Sequence, residues 1–168
     1  MNLNSAASRE NVQLRTATDH DLDLLFKIYA STREEELKLA PWDQNQLAQF
    51  LTMQFNAQHR FYRQTFPNAT FDIVVSDRTD CGRMYVHRAV DEIRIIDIAL
   101  LPRYQNVGIG SFLISRILNE ANGSQRVVRI HVEKTNRALR LYERLGFGRI
   151  EDEQIYWLME YTPARKGP

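Results

Sequence analysis

The sequence predicts one α+β domain, in which a mixed sheet of about seven strands is flanked by about four helices. A chain of 168 residues is long enough for a single domain with a substantial core. Apolar residues recur with the alternating period of strands and the helical period, in the order βααβββαβαββ. Neither repeats nor low-complexity linkers divide the chain. We therefore expect the domain to occupy residues 11–161, with tails at 1–10 and 162–168.

The start of the domain is predicted to be a strand followed by two helices. Residues 12–15 alternate between apolar and polar side chains, as a short strand does. Asp19 or Asp21 can cap a first helix, whose apolar stripe consists of Leu22, Leu25, Phe26 and Tyr29. Pro41 ends that helix, and Asp43 can cap a second one.

The remaining elements follow from apolar runs separated by turn residues. Strands are expected at 70–76, 83–88, 93–101, 126–132, 147–150 and 155–161, and a helix at 136–145. A turn around Gly82 joins the first two of these strands and places the lone cysteine, Cys81, at a strand edge. Because no histidine or second thiol is near Cys81 in sequence, we interpret it as a small packing residue rather than a nucleophile.

A strand, a glycine turn and a helix follow one another at the centre of the chain. The apolar run 93–101 ends at Pro102, and Gly108-Ile-Gly110 opens an apolar-periodic helix. The first turn of a helix leaves backbone N–H groups unpaired at the positive end of the helix dipole, and glycine lets a phosphate approach closely. The stretch therefore indicates a pyrophosphate site.

Two nucleotide-binding motifs can be compared with this stretch. It is not a Walker loop, because no Lys-Ser or Lys-Thr follows Gly110. A Rossmann fingerprint is closer, with Glu133 where a ribose-binding acid would stand. A Rossmann domain, however, places its glycine turn after an early strand and continues with parallel βαβ units, which the predicted element order does not offer.

A second segment helps to decide between these interpretations. Residues 136–147 read Asn-Arg-Ala-Leu-Arg-Leu-Tyr-Glu-Arg-Leu-Gly-Phe. Together with Gln105-x-x-Gly108-x-Gly110, this segment resembles the GNAT superfamily of acyl-CoA N-acyltransferases, in which both motifs occur in this order. The resemblance covers residues from about 10 to 161, and its specific motifs lie within 92–147. It implies a GNAT-like fold, acetyl-CoA as co-substrate and no metal.

The resemblance also implies which residues hold the coenzyme. In the family, the loop after the fourth strand holds the pyrophosphate, and the fourth strand splays from its neighbour at a bulge and binds pantetheine and the thioester through its main chain. The Asn of the later motif contacts pantetheine or caps the helix, and its Tyr lies near the sulfur. Carried onto this chain, the cofactor-binding residues are Ile98, Ala99, Leu100, Gln105, Asn106, Val107, Gly108, Ile109, Gly110, Ser111, Asn136 and Tyr142.

Amide formation needs a proton donor for the departing thiolate and an acceptor for the proton of the amine. The resemblance makes Tyr142 the general acid; the alternative is that its hydroxyl only fixes the coenzyme. Some peptide α-amine acetyltransferases of the family carry a glutamate in the fifth strand, and His131 stands at that position as a candidate base. Asp97 is its rival, because a carboxylate inside an apolar run should face either the cleft or an arginine. Glu92 and Glu133 are further candidates.

The acceptor is expected to be a small-molecule or peptide amine. The resemblance places the first two helices along the acceptor groove, so Trp42, Phe55, His59 and Tyr62 are candidates to line it, unless they simply cover the sheet. The acidic run 34–36 is either a solvated helix face or a weak attraction for a cationic substrate. The leading function is an acetyl-CoA-dependent N-acetyltransferase, and the alternative is a non-catalytic acyl-CoA-binding module of the same fold.

Composition bears on the partners and the location. The formal net charge of +1 gives no electrostatic reason to expect nucleic acid or an anionic membrane surface as a partner. No apolar run is long enough to span a bilayer. A single cysteine excludes an internal disulfide and suits the reducing cytoplasm. We expect a cytoplasmic protein that is either a monomer or a homodimer.

Overall fold

The structure, a computed structural model, describes residues 11–38 and 41–164, so the predicted tail at 1–10 lies outside the described residues. Within these ranges the elements follow the predicted order βααβββαβαββ. The strands are Val12–Thr16 (β1), Thr70–Ser76 (β2), Thr79–Arg88 (β3), Glu92–Leu100 (β4), Val127–Glu133 (β5), Gly148–Glu153 (β6) and Tyr156–Tyr161 (β7). The helices are Leu22–Leu37 (α1), Gln44–Thr65 (α2), Ile109–Ser124 (α3) and Leu139–Arg144 (α4). The predicted α+β class is thereby confirmed.

The strands form one mixed sheet in the order β1-β2-β3-β4-β5-β7-β6. Neighbouring strands are antiparallel except for β4 and β5, which run parallel and are joined by α3. A Rossmann domain has a largely parallel sheet, so this topology removes that alternative. The parallel pair lies at the centre, and the site described below is built on it.

Apolar side chains cover both faces of this sheet. On one face α3 buries Ile109, Leu113 and Ile114 against the central strands. On the other face, over the N-terminal half of the sheet, α1 and α2 contribute Leu25 and Phe55 to a second cluster. The sheet is therefore the middle layer of the domain. Each buried side chain of its central strands packs against one of the two helical layers.

The predicted caps of the first two helices have different outcomes. Asp43 caps α2, because its carboxylate accepts two backbone amides of the first turn at 2.8 and 2.9 Å. For α1, Asp21 occupies the N-cap position at the end of a short 3-10 turn, but its side chain accepts no backbone amide of this helix, so the predicted cap hydrogen bond is absent. The carboxylate of Asp21 instead binds the guanidinium of Arg15 at 2.9 and 2.7 Å, so it ties β1 to the start of α1.

The turn between β2 and β3 comes earlier than predicted. Asp77 and Arg78 have positive φ angles of 48° and 64° and form a two-residue hairpin turn. Gly82 lies inside β3 instead, where a Cβ atom would come within 2.4 Å of the carbonyl oxygen of Ala99, so the neighbouring strand requires glycine there. Cys81 is a fully buried strand residue, and burial raises the pKa of its thiol to about 11.

Candidate active site

The two parallel strands at the centre of the sheet separate partway along their length. β4 pairs with β5 only through Glu92–Ile95 and Val127–Ile130. On its other edge β4 has a bulge, in which Ile96 is an extra residue between the partners of two successive β3 residues. A bulge bends its strand and increases the local twist, which takes the second half of β4 away from β5. The result is an open gap between the carboxyl-terminal halves of the two strands.

Backbone groups of β4 line this gap. The amide of Leu101 donates to the carbonyl of Cys81 in β3 at 2.9 Å. Because alternate residues of an antiparallel strand turn their peptide groups to the same neighbour, Ala99 also pairs with β3, whereas Ile98 and Leu100 turn theirs to the gap. Of the predicted coenzyme contacts on β4, Ile98 and Leu100 therefore present backbone donors to the gap, and Ala99 does not.

The loop after β4 presents a row of unpaired amides. The side chain of Gln105 anchors this loop by donating to the carbonyl of Leu100 at 2.8 Å. Asn106 and Gly108 have positive φ angles of 60° and 91° and turn the chain into α3. Among the described residues, no acceptor faces the amides of 106–111. Unpaired amides of a helical first turn and of the loop before it can bind an anion, and the predicted members of such a site are contiguous here: Gln105, Asn106, Val107, Gly108, Ile109, Gly110 and Ser111.

Gly110 has no steric reason to be glycine in the free protein. A Cβ atom built at this position meets only Cδ2 of Leu141, at an ordinary contact distance of 3.8 Å. Its φ angle is helical rather than positive. The missing side chain leaves open space directly beside the unpaired amides, where a phosphate group has room to approach them.

Tyr142 of α4, the predicted general acid, belongs to the core cluster that also contains Ile109 of α3 and Ile130 of β5. It is 4% exposed, and its ring stands edge-on to that of Phe147 with the centroids 5.6 Å apart. Its hydroxyl has no hydrogen-bond partner in the described part of the chain. Burial raises the pKa of Tyr142 above that of a free tyrosine, and the negative charge of Asp97 raises it further. The phenol therefore keeps its proton at neutral pH and can donate it.

Asn136 shapes the start of α4. Its Oδ1 accepts the amide of Ala138 at 2.8 Å, and its own amide donates to the carbonyl of Glu133 at 2.9 Å. This Asx turn occupies the residues before the helix, so α4 begins at Leu139 rather than at Asn136 as predicted. The N-cap position of α4 is Ala138 and has no side-chain cap hydrogen bond, so Asn136 shapes the loop before the helix, and its predicted contact with pantetheine stays a prediction.

The bulge decides the direction of Asp97. Ile95, two positions earlier, is buried under α3, and uninterrupted alternation would send Asp97 into the same core. The extra residue Ile96 reverses the alternation, so Asp97 lies opposite Tyr85 on the face that α1 and α2 cover. There Nε of Arg83 lies 2.6 Å from Oδ2 of Asp97, with the two side chains 4% and 20% exposed. The carboxylate thus pairs with an arginine while part of it still reaches the solvent of the cleft.

The other base candidates on β5 are held by ion pairs. Nδ1 of His131 lies 3.2 Å from Nη1 of Arg94, and Nε2 lies 3.1 Å from Oε2 of Glu153. We assign the ring proton of a neutral His131 to Nε2, because a guanidinium can only donate to Nδ1. Glu133 pairs with Arg33 of α1 at 3.3 Å. Both nitrogens of His131 and one oxygen of Glu133 are therefore engaged in the free protein.

Glu92 fits the role of a base least well. Its carboxylate contacts Arg94 at 3.0 Å and Arg129 at 2.8 Å. Burial acts to raise the pKa of Glu92, but the hydrogen bonds and charges of the two arginines outweigh it and lower that pKa. A carboxylate with a lowered pKa is a weaker proton acceptor. Arg129 also binds Glu160 at 2.8 Å, so Glu92 belongs to a ladder of charges across β4, β5 and β7.

Three of the four predicted candidates for the acceptor groove, Phe55, His59 and Trp42, have ring contacts within the layer of α1 and α2 or beside it. Phe55 is 5% exposed and packs against Phe26 with the ring centroids 5.6 Å apart, so it covers the sheet. His59 lies against Phe55, and burial lowers its pKa. Trp42 is 42% exposed and lies on Phe50. Phe55 therefore fits the alternative interpretation, in which the rings cover the sheet, while acceptor contacts of His59 and Trp42 stay predictions.

Tyr62 is the aromatic candidate that approaches Asp97. Its ring is 6.2 Å from that of Tyr85, the β3 residue opposite Asp97. Sequence reasoning missed Arg83, which completes this group. The available signal was an arginine in a strand whose next three residues are the apolar Met-Tyr-Val, together with a lone aspartate in the apolar run that follows.

The described residues also bear on the predictions about a membrane span and a metal. No helix there is both long and apolar enough to cross a membrane. Likewise, residues 11–38 and 41–164 contain no group of three or more His, Cys, Asp or Glu side chains arranged to hold a metal ion. That the protein works without a metal stays a prediction.

Comparison with known proteins finds acetyltransferases that are similar to this chain in sequence and in structure. Residues 68–149 match the family model of the acetyltransferase (GNAT) domain. The ribosomal protein bS18 alanine N-acetyltransferase of Haemophilus influenzae is 23% identical over 138 residues, which cover 82% of each chain.

Solved structures agree over nearly the whole chain. The PaiA N-acetyltransferase of Thermoplasma acidophilum in complex with coenzyme A superposes with a TM-score of 0.67 at 15% identity, over 90% of this chain and 99% of that one. The ribosomal-protein-S18-alanine N-acetyltransferase of Escherichia coli gives a TM-score of 0.63 at 17% identity, over 93% and 96%. The domain match contains the glycine loop and both central strands, so the chain is similar in sequence to the acetyltransferase (GNAT) domain and shares the fold of these acetyltransferase structures.

Proposed function

We propose that the protein transfers the acetyl group of acetyl-CoA to a primary amine. The observation that carries this proposal is a row of unpaired backbone donors leading from the start of α3 into the gap between β4 and β5. The amides of 106–111 form its anion-binding end, and the backbone of Ile98 and Leu100 continues it inside the gap. A diphosphate that carries a thin polar arm, as coenzyme A does, suits donors in this order.

The residues at the inner end of the row suit the transfer itself. Donors on Ile98 and Leu100 polarise the thioester carbonyl, and preorganised donors of this kind contribute roughly 3–4 kcal/mol in the transition state. The amine nitrogen forms a bond to the carbonyl carbon as the carbon–sulfur bond breaks. Tyr142 then gives its phenolic proton to the thiolate.

The proton of the attacking amine needs an acceptor, for which Asp97 and His131 are both candidates. Both nitrogens of His131 have partners in the free protein, Arg94 and Glu153. Oδ1 of Asp97 has no donor among the described residues, since Arg83 approaches Oδ2. This contrast favours Asp97 over His131 as the first recipient of the proton.

We further propose that the acceptor is the α-amine of a peptide or protein. Two relatives named above act on an alanine of a ribosomal protein. An α-amine with a pKa near ~8 is more often neutral at pH 7 than a lysine with a pKa near ~10.4. Since each candidate base here is tied into an ion pair, the less basic amine makes the smaller demand on it. A small-molecule amine remains the second class of acceptor.

A panel of three amines tests this function on the purified full-length chain with acetyl-CoA. The panel consists of a peptide starting with alanine, an N-acetylated peptide with one internal lysine, and 1,4-diaminobutane. Thiol release and the mass of the product are measured together, and we expect one acetyl group on the alanine peptide for each thiol released. Acetylation of only the lysine peptide or the diamine would overturn the choice of α-amine but keep the transferase.

Calorimetric binding of coenzyme A separates the transferase from the alternative function. Binding without turnover on any of the three amines would favour a non-catalytic acyl-CoA-binding module. Absence of binding would contradict both functions. A cytoplasmic location and a state of monomer or homodimer stay part of the proposal, and size-exclusion chromatography with light scattering tests the second.

A further inference from the structure

Only part of the surface of α2 is used to hold this helix to the domain. Phe55 is the one buried residue among the 22 of α2, all of which the structure describes. Its ring packs against Phe26 of α1, with the centroids 5.6 Å apart. Tyr62 stands edge-on to Tyr85 of β3, with the centroids 6.2 Å apart. A second side of the helix faces the solvent and carries large apolar side chains.

Six residues make up this second side, which we call the outer face of α2: Gln46, Phe50, Met53, Ala57, Phe61 and Gln64. At 3.6 residues per turn they fall within an arc of about 80°. All of them are exposed except Phe50, which is partly buried beside Trp42, with the ring centroids 4.7 Å apart. Met53 and Phe61 are each 58% exposed. Single apolar residues are normal on a surface, but a stripe of them along about three helical turns marks an interaction surface.

The outer face has almost the same order of side chains in both directions. From either end it begins with a glutamine and a phenylalanine, and Met53 and Ala57 form its centre. When two identical helices run antiparallel about a twofold axis, each contact occurs twice with the two residues exchanged. One register places Phe50 opposite Phe61 of the second copy and Met53 opposite Ala57, with the glutamines opposite each other at the ends. A face that matches itself in this way fits a second copy of the chain.

The sizes and charges of the side chains also suit this register. The small Ala57 leaves room for Met53 of the other copy, so the two helix axes can approach to about 8–10 Å. α2 contains no aspartate or glutamate, and its two arginines are Arg60 and Arg63. Arg63 is turned to the sheet, with its guanidinium 4.5 Å from the ring centroid of Phe71. The Arg60 residues of the two copies lie about 15 Å apart along the axis in this register, which exceeds the screening length at physiological salt.

The exposed apolar area indicates how strong this contact is. A large apolar or aromatic side chain presents roughly 150–250 Å² when it is fully accessible. At 58% exposure for Met53 and Phe61 and 42% for the adjoining Trp42, these three residues leave about 300 Å² of apolar surface on each copy. A stable interface of standard size buries about 800 Å² per partner. We therefore expect a weak association with a Kd in the micromolar range.

We propose that the outer face of α2 is the contact surface of a weak homodimer, in which two α2 helices pack antiparallel about a twofold axis between Met53 and Ala57. Association removes the exposed apolar side chains of both copies from water, which is its driving force. None of the residues predicted to bind the coenzyme lies on this face. The dimer is thus independent of the proposed acetyl transfer, and either one can fail without the other.

Sedimentation velocity of the full-length chain tests the dimer between about 5 and 500 μM. We expect the measured mass to rise with concentration from the 19.7 kDa of one chain towards twice that value. Met53→Glu and Phe61→Glu each place a carboxylate without a partner in the apolar contact, so association should weaken at least about tenfold. Val90→Glu is the matched control, because Val90 is 97% exposed in the turn between β3 and β4 and should leave the association unchanged.

Three outcomes of this experiment would overturn the proposal. A chain that is monomeric at every concentration does not use the outer face for a second copy. A dimer that Met53→Glu and Phe61→Glu leave intact is formed through another surface, such as the edge strands β1 or β6. Binding to phosphatidylglycerol vesicles that Met53→Glu abolishes, without a dimer in solution, would assign the face to a membrane.

Disulfide cross-linking tests the register of the two helices. Cys81 is fully buried, so introduced surface thiols react without competition from it. A mixture of Met53→Cys and Ala57→Cys should form a disulfide-linked dimer faster than either variant alone. The mixture of Met53→Cys and Gln64→Cys is the control, because the second thiol is on the same face but about 10 Å out of register. Equal rates for the two mixtures, or fastest linking of Met53→Cys to itself, would overturn the antiparallel arrangement.

Discussion

The two glycines at the start of α3 have different physical roles. Gly108 has a φ angle of 91°, which side chains rarely tolerate, so the loop needs glycine there whether or not a ligand binds. Gly110 has a helical φ angle and open space around it, and nothing in the described chain demands glycine. A substitution at Gly110 therefore tests coenzyme binding alone. A substitution at Gly108 would strain the backbone as well, so its effect on binding could not be separated from that strain.

Gly110→Val should weaken the binding of coenzyme A without lowering the stability of the fold. Valine is no worse than glycine in a helix, so the free energy of unfolding should stay within about 1 kcal/mol of the wild type. The added methyl groups block the approach to the unpaired amides, and loss of even one or two such bonds lowers affinity about tenfold or more. Calorimetric titration with coenzyme A and urea denaturation measure the two quantities.

Gly123→Val is the matched control for that prediction. Gly123 lies in the last turn of the same helix, and a Cβ atom there meets no heavy atom within 4 Å. The affinity of the Gly123→Val variant for coenzyme A should equal that of the wild type. Equal affinities of Gly110→Val and Gly123→Val would mean that the start of α3 does not hold the coenzyme.

Tyr142→Phe separates the acid role from a packing role. The hydroxyl has no partner in the described chain, so its loss should change the free energy of unfolding by less than about 0.5 kcal/mol. If the phenol protonates the thiolate, kcat should fall about 10²- to 10⁴-fold while the KM for acetyl-CoA stays close to its original value. Unchanged turnover on every acceptor would leave Tyr142 as a packing residue beside Phe147.

At the scale of single residues, the loop could be predicted from sequence and the charge pair could not. Gln105, Gly108 and Gly110 are close together in the chain, so their spacing alone describes the loop. Asp97 and Arg83 meet only because β3 and β4 pair in one register, and that register changes at the bulge. A bulge is a property of the pairing between strands, so no local pattern in either strand predicts it.

Among the elements, the bulge in β4 links the two halves of the site. It opens the gap to β5 on one edge and reverses the side-chain alternation, which brings Asp97 out of the core under α3. One inserted residue therefore provides both the backbone donors and the carboxylate. The order of the elements could be predicted because each long segment keeps its own apolar period.

The predicted elements differ from the structure in short polar segments, whose sequences are compatible with more than one turn or cap geometry. The turn at Asp77 and Arg78 uses positive φ angles at residues other than glycine, whereas the sequence pattern favours a turn at Gly82. At the start of α1, Asp21 is engaged by Arg15 rather than by the helix. In both places a contact with another strand outweighs the local preference of the residue.

The Arg15–Asp21 contact makes a testable contribution to stability. Asp21 is mostly buried, with 11% of its side chain exposed, and accepts two hydrogen bonds from Arg15. Arg15 is 39% exposed, so solvent screening weakens the pair, and we expect Asp21→Asn to cost about 1–2 kcal/mol at pH 7. Urea denaturation measures this cost, and Asp91→Asn, at an exposed position, serves as the control.

The pH dependence of that cost follows from the direction of the pKa shift. Hydrogen bonds from Arg15, and then from the amide of Thr18, hold the pKa of Asp21 well below its usual value. A carboxyl group with a lowered folded-state pKa adds stability above its unfolded pKa of about 3.9 and loses that contribution as the pH falls below it. The difference between wild type and Asp21→Asn should therefore shrink between about pH 4 and pH 2. A difference that stays constant over this range would contradict the assignment.

At the scale of the whole molecule, one group of backbone N–H donors in the described chain lacks acceptors within the protein. The amides of 106–111 and those of Ile98 and Leu100 have no acceptors in the described chain, while the two helical layers around them are closely packed. A rigid frame with unpaired donors at one place is arranged to be completed by a ligand. Binding should therefore change the stability of the domain strongly and its shape little.

Coenzyme A should stabilise the protein through these amides in particular. At 100 times its Kd a ligand adds about 2.7 kcal/mol, which for a chain of this size raises Tm by about 5–10 °C.

Hydrogen exchange followed by mass spectrometry locates the effect: peptides covering 106–111 should exchange quickly in the free protein and become protected with the coenzyme bound, because only then do these N–H groups have acceptors. The hairpin turn at Asp77 and Arg78, on the side of β3 away from the gap, serves as the internal control and should exchange at the same rate in both states. Protection spread evenly over the chain, or confined to β1 and β2, would place the coenzyme elsewhere, because a ligand held by backbone donors must slow the exchange of those donors first.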